Sequence, residues 1–168
     1  MREKIFVTLG SQKFQFNRLL KAVDELCKKN IVSSEDVFAQ IGYSDYTPQN
    51  YNYKKFLDRE EFGLEMEKAD IVITHGGTGA IIGAVKKAKK VIAVARREQY
   101  GEHVDDHQIQ IISQFKEQNL ICGISDVSDL ENAVEYVRTH KFDSYESNAT
   151  VIIRSIEHYI QDLSEELL

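Results

Sequence analysis

Ala69-Asp70-Ile71-Val72-Ile73-Thr74-His75-Gly76-Gly77-Thr78-Gly79-Ala80-Ile81-Ile82 decides how this chain is read: an apolar run breaks into a histidine and a glycine-rich corner, then resumes. Ile71 to Thr74 are β-branched throughout, the composition of a strand covered on both faces of a parallel sheet. Gly76, Gly77 and Gly79 permit positive φ and close approach of another group to the backbone, and Thr78 is placed to cap the helix that follows. Strand, tight turn and helix in that order bring backbone N–H groups and the positive end of a helix dipole to the carboxyl end of a strand. An open α/β sheet takes phosphate or diphosphate there. The pattern is neither the Gly-x-Gly-x-x-Gly dinucleotide fingerprint nor a P-loop, because no Gly-Lys-Ser/Thr follows. From these residues alone, a turn without a ligand, with His75 packed as a core residue, is the competing reading.

Composition narrows the classes. The chain has 168 residues, 42% of them hydrophobic and 29% charged, enough for one globular domain with a sizeable core. A net charge of -6 and the absence of a basic cluster give no footprint for a nucleic-acid backbone. Cys27 and Cys122 stand far apart in apolar surroundings and read as reduced core residues, with no disulfide framework and no zinc motif. The N-terminus enters a strand directly, with no signal peptide and no apolar stretch long enough to span a bilayer. The expected location is cytoplasmic, with any membrane contact peripheral.

In chain order, Ile5 to Leu9 reads as a strand ending at Gly10-Ser11, and Asn17 to Lys29 as a helix with Leu19, Leu20, Val23, Leu26 and Cys27 at helical spacing. Val37 to Ile41 is a second strand. Tyr43 to Tyr53 is an ordered loop whose tyrosines (Tyr43, Tyr46, Tyr51, Tyr53) form either a contact surface or half-buried packing. A short strand over Tyr53–Leu57 and a helix over Arg59–Lys68 lead into the central strand. Beyond the glycine corner come a helix over Ala80–Lys89, a buried strand over Val91–Ala95, a helix over Asp106–Glu117, a strand over Leu120–Ile124 and a helix capped by Ser128. Residues 147–168 form a terminal amphipathic helix with Ile152, Ile156, Tyr159, Ile160 and Leu163 on one stripe. That stripe either packs on the domain's own sheet or meets a partner. The alternation of strand and helix predicts a doubly wound parallel sheet, Rossmann-like, in one domain over 1–168, and it gathers Gly10-Ser11, His75–Gly79 and Arg96–Gln108 at one edge.

The third of these loops, Arg96 to Gln108, is long and polar, and its acids precede a helix whose dipole favours them. His103 and His107 are four apart beside carboxylates, but no third ligand at known spacing accompanies them, and the metal reading is set aside. Asp, His and Gln side chains in this loop suit recognition of sugar hydroxyls.

His75-Gly76-Gly77-Thr78-Gly79 together with Gly101-Glu102-His103-Val104-Asp105-Asp106-His107-Gln108, preceded by Val7-Thr8-Leu9-Gly10-Ser11, resembles the C-terminal, donor-binding half of GT-B glycosyltransferases of family 28. The resemblance covers nearly the whole chain. It is nearest to the small stand-alone subunit of two-part bacterial exopolysaccharide or capsule glycosyltransferases, and similar to the catalytic subunit of the two-part N-acetylglucosaminyltransferase of dolichol-linked N-glycan assembly. It implies that the donor diphosphate is held by Gly10, Ser11, His75, Gly76, Gly77, Thr78, Gly79 and Arg96, and the donor sugar by Glu102, His103, Asp106, His107 and Gln108. Where the family carries an acidic residue for the ribose hydroxyls this chain has Gly83, and where relatives read Val-Pro-Arg it has Val94-Ala95-Arg96.

The expected function is UDP-sugar binding by one component of an inverting hexosyltransferase that extends a lipid-linked saccharide, active only with a membrane-associated, acceptor-binding partner. No cofactor and no metal are expected, since backbone and helix dipole can stabilise the leaving diphosphate. His75 is the one candidate catalytic base. The alternative is a non-catalytic enhancer that stabilises a partner transferase.

Overall fold

The computed structural model describes residues 2–166, with the side chains at 150, 151, 159 and 162–166 outside the description. Its elements are β1 (Ile5–Thr8), α1 (Asn17–Lys28), β2 (Val37–Gln40), β3 (Asn52–Lys54), α2 (Arg59–Lys68), β4 (Ile71–His75), α3 (Thr78–Lys86), β5 (Lys90–Val94), α4 (His107–Glu117), β6 (Cys122–Ile124), α5 (Leu130–Thr139) and α6 (Asn148–Glu166). The six strands form one sheet in the order β3-β2-β1-β4-β5-β6, and each adjacent pair is parallel. This is the doubly wound order, whose strand sequence reverses between β1 and β4, and the loops that follow those two strands diverge there to open a crevice.

Alternation along the strands splits the apolar residues between two cores. Ile5, Val7, Ile71, Ile73, Ile92 and Val94 pack with Leu19, Leu20 and Val23 of α1 and Val134 and Val137 of α5. Phe6, Val72, Val91 and Ala93 face the other way, onto Met66 of α2, Ile81, Ala84 and Val85 of α3 and Ile112 of α4. Both faces of the sheet are covered, which is why the runs 5–7, 71–73 and 91–94 are apolar at every position.

Several boundaries differ from the sequence reading. The edge strand is Asn52–Lys54, exposed at all three residues, and not Tyr53–Leu57; a strand paired on one side only carries no apolar run. β6 is Cys122–Ile124: Leu120 and Ile121 are buried in the second core but precede the ladder. Ser128 is not a cap. It lies inside a 3-10 turn, Val127–Asp129, and its amide donates to the side chain of Asp126. Thr78 is the first helical residue of α3, and the cap position belongs to Gly77.

The tyrosine loop folds onto α1. Asp24, fully buried, accepts hydrogen bonds from Tyr46 Oη and from the amides of Gln49 and Asn50, and Tyr51 Oη donates to the Leu20 carbonyl. Tyr43 and Tyr53 stay at the surface. Cys27 and Cys122 are free thiols, one buried and one half-buried.

No described side chain of the terminal helix belongs to either core. Ile152, Ile153, Ile156 and Ile160 are 58%, 55%, 53% and 60% exposed, so the described part of the stripe does not pack on the sheet. Tyr159 and Leu163 belong to the side chains outside the description. No helix among the described residues is long and apolar enough to cross a membrane. Deletion of residues 147–168 should therefore change unfolding free energy by less than about 0.5 kcal/mol, the range for changes away from packed features. Urea titration of the two chains checks this, and a loss of several kcal/mol would mean that the helix packs on the domain in solution.

Candidate functional site

Three loops meet at the carboxyl ends of β1, β4 and β5. The one after β1 turns at Gly10, whose φ is +73°. A side chain there would come within 2.9 Å of the His75 ring, and one at Gly77 within 2.3 Å of His75 Nε2. The imidazole of His75 is thus held in a slot between two glycines from different loops. A Cβ at Gly76 would stand 2.6 Å from the Cβ of Gln108. The room left by Gly10, Gly76 and Gly77 is taken by these two side chains. Gly79 is different, since a Cβ there meets nothing within 4 Å. No N-cap side-chain hydrogen bond closes α3, and Thr78 and Gly79 of its first turn are exposed residues, so the first-turn amides have no capping side chain.

His75 is 8% exposed, with Nδ1 3.3 Å from Thr74 Oγ1. Burial pushes its pKa down to about 4, the Arg96 charge adds to the fall, and a hydrogen bond to the Thr8 carbonyl opposes it. The ring is neutral at pH 7 and a weak proton acceptor, a poor match for a general base.

Arg96 lies on the inner side of the same edge and is 1% exposed. Nη2 donates to the Leu9 carbonyl at 2.6 Å and Nη1 to the Phe14 carbonyl at 3.1 Å, so the guanidinium fastens the β1 loop and does not reach the surface. Burial lowers its pKa to about 10, which leaves it charged at neutral pH. Glu102, also 1% exposed, is engaged from three directions: Arg18 Nε and Nη2 each donate to it at 3.0 Å, and the Arg97 amide at 2.9 Å. Gln108 Oε1 accepts from the amides of Gly76 and Arg96, both at 3.1 Å. Arg96, Glu102 and Gln108 are therefore structural members of the site in this state.

The remaining candidates face outward or line the edge. Ser11 is exposed at the tip of the β1 loop, and Asp106, exposed, accepts from the Glu98 amide. His107 is half-exposed beside Asp105, whose carboxyl it holds below the usual range through a side-chain hydrogen bond. His103 is 9% exposed between the rings of Phe14 and His107. Asp105 escaped the sequence reading, although its place between the two histidines was the signal that could have found it.

The geometry makes two predictions. Gly77→Ala should cost about 1–3 kcal/mol through overpacking against His75, while Gly79→Ala should be neutral or gain up to about 1 kcal/mol; chemical denaturation of the pair measures both. The second concerns pH. With His75 at about 4 folded and near 6.5 unfolded, the unfolded chain holds the extra proton between those values. Stability should therefore fall as pH drops from 6.5 towards 4, by up to about 1.4 kcal/mol per pH unit. His75→Gln should flatten that slope, and an unchanged slope would refute the burial argument.

Residues 4–166 match the model of the glycosyltransferase family 28 C-terminal domain. A human protein, "UDP-N-acetylglucosamine transferase subunit ALG13", is 26% identical over 117 residues, 66% of this chain and 10% of its own length. The protein of the same name from Yarrowia lipolytica is 28% identical over 87 residues, 51% of this chain and 42% of that one. The chain thus spans less than half the length of these relatives. Among solved structures, an NMR structure of ALG13 superposes with a TM-score of 0.61 at 17% identity, over 92% of this chain and 94% of that one. At that identity the likeness speaks for the fold.

Proposed function

The chain belongs to the glycosyltransferase family 28 C-terminal domain family, and from that membership we propose that it binds a UDP-sugar as one subunit of a two-component inverting glycosyltransferase. The observation that carries the reading is the uncapped start of α3 at the strand-order reversal, with open space at Gly79. The diphosphate lies against the first-turn amides at Thr78 and Gly79, with Gly10 and Ser11 opposite. Arg96 contributes through its charge behind the β1 loop and not by contact, while Glu102 and Gln108 hold the loops in place. Asp106, His107 and the exposed edge of His103 meet the donor sugar.

The reaction is displacement at the anomeric carbon by an acceptor hydroxyl, with UDP leaving. Backbone amides and the helix dipole take up the charge that develops on the diphosphate. The hydroxyl proton needs a base. Neutral His75, held near 4, is suited to donating or accepting a hydrogen bond beside the diphosphate, so the base belongs to the acceptor-binding partner. That partner is membrane-associated and presents a lipid-linked saccharide. The exposed isoleucines of α6 are the contact, and the setting is exopolysaccharide or capsule assembly on the cytoplasmic side of the membrane. The relatives are named as subunits of UDP-N-acetylglucosamine transferases, which makes UDP-N-acetylglucosamine the first donor to test. Gly83 favours a second reading, a non-catalytic enhancer of the partner, because the helix face that would meet a ribose carries no side chain there.

UDP alone should raise the melting temperature of the purified chain by mass action. Gly79→Asp places a carboxylate where the helix dipole tolerates it, so it should fold normally yet weaken UDP about tenfold or more, equivalent to ~1.4 kcal/mol of repulsion. Gly83→Glu, for which there is open space, should tighten UDP. No shift with UDP or UDP-N-acetylglucosamine in wild type or Gly83→Glu would leave the enhancer reading.

A further inference from the structure

His103, Asp105 and His107 are brought together by the turn that opens α4, with their ligand-type atoms all within 4.8 Å of one another. Both imidazoles present Nδ1 to the same oxygen, Asp105 Oδ1, His103 at 3.4 Å and His107 in direct contact. We propose that His103, Asp105 and His107 form a binding site for a divalent transition-metal ion of the zinc class.

The argument begins at His103. Its Nδ1 is buried and has no hydrogen-bond partner, while its ring is fixed by Phe14 at 5.1 Å and His107 at 4.9 Å. A buried polar atom left unpaired costs ~1–3 kcal/mol, so an orphan nitrogen aimed at a carboxylate calls for a bridging group. Asp105 Oδ1 does not fill that need: it accepts from the amide and the ring of His107 and stands 3.4 Å from His103 Nδ1, beyond a good hydrogen-bond distance. A metal ion between the three groups satisfies both nitrogens and the carboxylate together.

The chemistry of the set agrees. Two imidazoles and one carboxylate suit a borderline ion, and bonds of about 2.0–2.1 Å in a tetrahedron put ligand atoms roughly 3.3–3.4 Å apart. The separation of His103 from Asp105 already has that value, and the tighter His107 pair has only to open. Asp105 and His107 have side chains 54% and 49% exposed, so the ion can enter from solvent and keep a coordination position on that side. Such an ion would tie the start of α4 to the loop after β5 and, through His103, to Phe14. It plays no part in stabilising the leaving diphosphate.

The test uses the full chain and zinc alone, with no nucleotide present, so its outcome is separate from that of the donor reading. Calorimetric titration near neutral pH should show saturable binding of one ion per chain, and cobalt in its place should give the visible band of a tetrahedral site. Asp105→Asn keeps an oxygen that can accept from the His107 amide, and His107→Ala removes an exposed ring, so both variants should fold. Each should weaken zinc about tenfold or more, the scale on which altered metal-site shells act. His158→Ala, on α6 and not a member of the cluster, should bind as wild type does. Absence of saturable binding to the wild-type chain, or unchanged affinity in either Asp105→Asn or His107→Ala, would overturn the proposal.

Discussion

Gln108 Oε1 accepts hydrogen bonds from two backbone amides, those of Gly76 and Arg96, and the loop-bearing edge of the sheet is built around that one oxygen. Where β4 and β5 end, their ladder ends too, and the amides just beyond it are buried with no strand partner. A buried amide left unpaired costs ~1–3 kcal/mol, so a side chain from the first turn of α4 closes the gap. The side chain needs space, and Gly76 provides it. The start of α4 cannot shift without parting the loops after β4 and β5, and those loops carry the amides of α3 and the polar segment before α4.

Behind this closure lies a layer of buried charge. Arg96 and Glu102 are each 1% exposed, one bonded to carbonyls of the β1 loop, the other paired with Arg18. Buried ions are retained only when their hydrogen bonds are nearly complete, and their loss would leave an uncompensated partner. Here they fix where the outer residues sit. The long loop after β5 is therefore a braced structure, with an ordered inner side of Arg96, Glu102 and Gln108 and an outer side of Asp105, Asp106 and His107.

That division explains what could be read from the sequence. The doubly wound parallel sheet follows from the alternation of runs such as Ile71–Thr74 with the helical spacing of residues such as Leu19, Leu20 and Val23, all local signals. The gathering of the loops after β1, β4 and β5 at one edge, where the candidate site lies, was equally legible, because a glycine corner after a central strand has few other places to lie. The inward roles were not. Nothing near Arg96 in the sequence tells that its guanidinium serves the carbonyls of Leu9 and Phe14, more than 80 positions away. The glycines misled in a similar way: Gly10 and Gly77 lie far apart in sequence, and only the fold closes them on one imidazole. β3 gave little signal because an exposed edge strand needs no apolar residues.

The isoleucines of α6 bear on the life of the chain outside any complex. Four branched side chains, each more than half in water, are surface that the domain itself never covers. Apolar area of this kind draws molecules together as their concentration rises, and in a cell it is the type of surface that chaperones and proteases sample. A chain that accumulates with that helix uncovered would be cleared or would self-associate. The same helix thus bears on the turnover and solubility of the chain, an effect that leaves the loops at the carboxyl edge of the sheet untouched.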